Sequence, residues 1–87
     1  MIKLVSVRPA GEQLLQLGFS DGSSASWSAA EIIARNTELT RPLRNSAYFS
    51  RVFIEAGALA WPNGLELSAS SLHRRLSEAG MLSSRAA

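Results

Sequence analysis

Two hydrophobic rhythms organise the chain: polar and apolar residues alternate in its first quarter, and apolar residues recur every three to four positions near its end. From Ile2 to Val7, Ile2, Leu4 and Ser6 fall on one side and Lys3, Val5 and Val7 on the other, so a strand is predicted that Arg8-Pro9 interrupts. The stretch QLLQLGFSDGSSASWS then places Leu15, Leu17 and Phe19 on one face, and Asp21-Gly22 supplies the positive-φ pair of a two-residue turn. Strands two and three are therefore expected to pair antiparallel.

The third strand runs into a helix signal at Trp27. Ser28-Ala29-Ala30-Glu31 fits a capping box, with Trp27 and Ile32 as its hydrophobic staple. Arg35-Asn36 is the expected end of that helix, and Arg41-Pro42 prevents its resumption. Asn45 is predicted to cap a helical turn over Ser46-Ala47-Tyr48-Phe49. Val52-Phe53-Ile54 and Ala58 to Trp61, separated by Ala56-Gly57, form a second predicted hairpin.

The tetrapeptide Trp61-Pro62-Asn63-Gly64 has a local explanation. Trp61 closes a strand, Pro62 stops the ladder, and Asn63-Gly64 provides positive φ to redirect the chain past Leu65-Glu66-Leu67 toward the last helix. Ser68 caps that helix, whose apolar positions are Ala69, Leu72, Leu76 and Ala79. Gly80 is expected at C′ and Met81 at C″ of a Schellman motif packed on Leu76. The prediction is one small two-layer α+β domain over residues 1–80, followed by a C-terminal tail over 81–87 that is expected to fray from Ser83 on. It carries a mostly antiparallel, curved sheet of about five strands with two or three short helices.

Composition narrows the chemistry. The chain has 87 residues, 46% hydrophobic and 18% charged, which fits one folded core and lies far from disorder. Nine basic residues, eight of them arginine, face seven acids, and a net charge of +2 is too small for a strong electrostatic field. The absence of cysteine excludes disulfides, thiolate nucleophiles and cysteine-ligated metals. No secretory signal or membrane-length apolar window is visible, so a cytoplasmic address is expected.

His73, the only histidine, is placed on the exposed flank of the last helix, and the acids are scattered singly with no paired carboxylates. Neither GxGxxG nor GxxxxGK occurs. No catalytic residue, metal site or cofactor is assigned. The candidate interaction residues are Trp61, Asn63, Tyr48, Phe49, Arg41, Arg44 and Arg51, because aromatics and arginine are enriched at interface hot spots. The same arginines, with Arg74 and Arg75, could bind phosphate while Tyr48 or Phe49 stacks on a base.

The order of Phe19-Ser20-Asp21-Gly22, the helix start from Ser28 to Ile33, Leu43-Arg44-Asn45 with Phe49, and Trp61-Pro62-Asn63-Gly64-Leu65-Glu66-Leu67 with Leu72 resembles the domain-of-unknown-function family 2442 of small bacterial proteins. Asn45 stands where aspartate is usual in that family, and Glu66 where aspartate is frequent. The resemblance implies a compact α+β domain with helices packed on a curved sheet, and it brings no catalytic residues. Some relatives carry an appended helix-turn-helix domain and others lie beside a gene for a second small protein, which implies toxin–antitoxin-like or regulatory pairing. The leading expectation is thus a non-enzymatic protein-interaction or regulatory, antitoxin-like module, partnered by a small protein or by itself through an open sheet edge. The alternative is a nucleic-acid-associated regulator using its arginines.

Overall fold

The computed structural model describes residues 1–83 and has an α+β architecture with six strands in two antiparallel sheets of three, rather than one sheet of about five. The first sheet is the meander β1 (Leu4–Gly11), β2 (Leu14–Phe19) and β3 (Ser24–Ser28). The second is the meander β4 (Phe53–Glu55), β5 (Ala58–Ala60) and β6 (Glu66–Leu67). Between them lie α1 (Ala30–Ala34), a 3₁₀ turn (Arg41–Arg44) and α2 (Ser46–Phe49); α3 (Ala69–Glu78) follows the second sheet. Leu15, Leu17 and Phe19 of β2, Leu43, Phe49, Leu59 and Trp61, and Leu72 and Leu76 of α3 join one buried cluster, so both sheets share a core.

β1 does not stop at Arg8-Pro9. It runs to Gly11, because β1 is an edge strand and its Pro9 can lie opposite Leu15 without interrupting an inner ladder. Nor does it alternate simply. Leu4 pairs with Phe19 and Ser6 with Gly18, leaving Val5 as a bulge that switches the strand's parity. Leu4 and Val7 consequently both pack on the core, whereas Val5 is 64% exposed. The hairpin between β1 and β2 turns at Glu12-Gln13, with Gln13 at φ 60°.

The β2–β3 connection also differs from a two-residue turn. Gly18 pairs with Ser24, and only Gly22 in the intervening loop takes positive φ. Asp21 instead uses its carboxylate: Oδ1 accepts hydrogen bonds from the amide and hydroxyl of Ser23, an Asx-type closure. In the capping-box segment, Ser28 Oγ accepts from the Ala30 amide at 3.2 Å, and the helix begins at Ala30 with Ala29 as its cap residue. Glu31 makes no return bond to Ser28 among the described residues.

The local signals farther along fit the expected elements. Asn45 Oδ1 accepts from the Tyr48 amide, and Asn36, at φ 54°, follows the end of α1. Ala56 and Gly57 have φ values of 52° and 84°, the two positive values of a type I′ turn. Ser68 Oγ accepts from the Ser71 amide at the start of α3. At its end, Gly80 N donates to Ser77 O and Met81 N to Leu76 O, a Schellman pattern, although Ala79 is exposed and Met81 is 52% exposed. Ser83, where fraying was expected to begin, is paired instead: Ser83 and Ser24 exchange two backbone bonds, extending the first sheet beyond β3. The remainder of the expected tail lies outside the described residues.

Candidate interaction surface

The four predicted aromatic and amide candidates converge, but on one another. Trp61 is 1% exposed and Phe49 is 3% exposed, so neither presents a free binding surface. The Trp61 indole Nε1 donates to the Phe49 carbonyl at 3.0 Å, and the two rings lie 5.9 Å apart. Burial of an indole requires such a partner for its only polar atom. Asn63 donates its backbone N–H to the Tyr48 hydroxyl at 2.9 Å and its side-chain amide to Leu39 O at 3.0 Å, while its Oδ1 accepts from the Leu65 amide.

The WPNG segment is therefore a knot. Trp61 N donates to Leu65 O, Gly64 N donates to Trp61 O, and Gly64 alone in the tetrapeptide has positive φ. The turn sends the chain directly back as β6 against β5, before α3 begins. The seven candidates thus divide into structural residues and exposed arginines.

Arg51 lies 5.9 Å from the Tyr48 ring centroid, a cation–π arrangement at the edge of this knot. Arg44 borders a hollow with Glu12 and Gln13 of the β1–β2 turn and the core residues Leu43 and Phe49. Arg41 is exposed on the 3₁₀ turn. Arg75 is elsewhere, on α3 beside Trp27, so the arginines are divided between different faces of the molecule.

Trp27 is the tryptophan that reaches solvent. It pairs with Leu15 and so faces the core side of its sheet, but it stands past the buried Ala25, where the chain leaves β3 for α1. The five-residue α1 follows directly, and Trp27 remains half-buried. Two adjoining cavities, of about 300 and 170 Å³, share Trp27, Ile32 and Arg75 as lining residues. They form one groove between α1 and α3. Its apolar walls include Leu72, Leu76 and the exposed Met81, and its rim carries Glu31, Arg35, Glu66 and Arg75. None of these four charges makes an ion pair among the described residues.

His73 occupies a second arrangement that local sequence gave no sign of. Its Nε2 lies 2.9 Å from Asp21 Oδ2, and its ring stands edge-on to Phe19 at 5.1 Å. It is half-buried rather than placed on an exposed flank. The Ser23 hydroxyl and amide, aided by His73, hold the Asp21 carboxyl down at about 2. Asp21 is therefore an acceptor at neutral pH, which places a proton on His73 Nε2. The pair ties α3 to the β2–β3 loop. Among the described residues, no three His, Asp or Glu side chains converge on a common point, and no helix is long and apolar enough to cross a membrane.

Comparison with protein-family models, curated proteins and solved structures found no match to this chain.

Proposed function

We propose that the chain is a non-enzymatic protein-interaction module, of the regulatory, antitoxin-like kind implied by its resemblance to the domain-of-unknown-function family 2442. Its binding element in this reading is the α1–α3 groove. The observation carrying the proposal is Trp27, a half-buried indole set in a concave apolar floor and ringed by charges that make no ion pair among the described residues. An aromatic anchor surrounded by polar rim residues is the arrangement in which a few contacts supply most binding energy. A nucleic-acid role draws less support, because Glu31 and Glu66 oppose the groove's arginines and Arg41, Arg44 and Arg51 lie outside it.

The test combines light-scattering mass with fluorine NMR of 5-fluorotryptophan-labelled protein, alone and with the product of the neighbouring gene. Association should move the Trp27 resonance and leave buried Trp61 nearly unchanged. Trp27→Ala should abolish association, while Arg44→Glu, outside the groove, should retain it. Association that leaves the Trp27 resonance unmoved would overturn the reading, as would a monomer at high concentration with no response to the neighbouring gene product.

A further inference from the structure

The rim of the groove has a charge order that specifies more than a generic partner. On the α1 wall, Glu31 borders the first cavity and Arg35 the second, one helical turn and roughly 6 Å apart. On the facing wall, Arg75 of α3 borders both cavities and Glu66 of β6 only the second. Around the rim the signs therefore alternate: Glu31, Arg35, Glu66, Arg75. All four side chains are exposed.

We infer that the occupant of the groove is a second copy of this chain, docked face to face about a two-fold axis. The inference rests on the interaction-module reading above and adds the partner's identity. A face-to-face pair has its two-fold axis in the plane of contact, and each residue meets a counterpart fixed by that axis. With the axis across the groove, Glu31 meets Arg35 of the other copy and Arg75 meets Glu66. With the axis along the groove, Glu31 meets Arg75 and Arg35 meets Glu66. Unlike charges face one another in both cases. The alternating rim is thus complementary to itself, and Met81, half-exposed at the edge, supplies an adaptable apolar contact for the opposing floor.

Charge reversal tests this with the full chain. Wild-type protein should show a concentration-dependent monomer–dimer equilibrium by sedimentation, and Glu31→Arg should weaken it at least about tenfold by opposing like charges. Arg35→Glu and Arg75→Glu should also weaken self-association. Mixing Glu31→Arg protein with one of these two reversed-arginine variants should restore a dimer: rescue by Arg35→Glu identifies the axis across the groove, and rescue by Arg75→Glu the axis along it. Circular dichroism of each variant should match the parent, since the substituted side chains are exposed. A wild-type monomer that nevertheless binds the neighbouring gene product through Trp27 overturns the second-copy inference and leaves the interaction reading intact. A dimer that neither reversal weakens nor mixing restores overturns the assignment of this face. Loss of dimer in the single variants without rescue in either mixture also overturns it.

Discussion

Replacing Trp61 with phenylalanine separates a structural tryptophan from a binding one. The substitution removes about three buried ring atoms, worth ~2 kcal/mol at about 0.8 kcal/mol per methylene-sized group. It also removes the indole donor to Phe49 O, worth about 1 kcal/mol. That carbonyl still accepts from the Val52 amide at 3.3 Å, so the larger penalty for an orphaned buried acceptor does not apply. The expected destabilisation is ~3 kcal/mol, a large share of the roughly 4–13 kcal/mol available to a domain of 87 residues. In a chain of this size it should lower Tm by more than about 10 °C. Urea and thermal unfolding followed by far-ultraviolet circular dichroism would measure it. A Tm within about 3 °C of the parent would refute the knot as a stabilising element.

The two tryptophans should also differ in solution: acrylamide should quench Trp27 in the monomer and leave Trp61 largely protected, which Trp27→Phe protein would resolve by fluorescence. Asp21 gives a pH signature, because its folded pKa lies at about 2 against an ordinary 3.8, so the unfolded chain binds more protons between those values. Its stabilising contribution should be complete above about pH 4 and disappear as pH falls toward 2; Asp21→Asn should flatten that part of a urea-midpoint profile. Gly80→Ala should cost ~1 kcal/mol, because φ is +70° and no atom lies within 4 Å of an added Cβ. Gly57→Ala should cost about 2–3 kcal/mol by denaturant titration, since φ is +84° and the new Cβ would come within 2.9 Å of Lys3 Cβ. Equal losses at the two glycines would contradict the close approach at Lys3.

The features legible in the sequence were those whose causes are local. Ser68 and Asn45 announce helix starts because each side chain bonds an amide three residues ahead. Gly80 announces an end because the C′ backbone conformation is set within one turn. The α+β class follows from the two hydrophobic rhythms. The Val5 bulge was hidden because a parity change depends on the partner strand, and its mark, Gly18 opposite Ser6, stands on that partner rather than on β1. Glu12-Gln13 lacks the Gly or Asn that marks a two-residue turn, and its position is set by the pairing of Gly11 with Leu14.

For the candidate surface, residue type pointed to the buried tryptophan. Trp61 lies beside unusual turn chemistry, whereas the tryptophan left half-buried is Trp27, where β3 gives way to α1. The spacing of Glu31 and Arg35 on one helix was available as a signal, but Arg75 and Glu66 join them only through tertiary packing. Asp21 and His73 are 52 residues apart, and neither has a local pattern that names the other.

The Ser24–Ser83 pairing gives the fold a latch. Both sheets are meanders whose strands meet through short connections, so their assembly requires little loop-closure entropy. By contrast, the latch joins the start of β3 to a residue beyond the last helix, a closure of long sequence separation. Opening it would free the backbone groups of Ser24 that Ser83 now occupies, lengthening the bare edge of the first sheet. Ser83 thus shields the first residue of an otherwise open edge, and losing that pairing would lengthen the stretch of β3 available for strand addition.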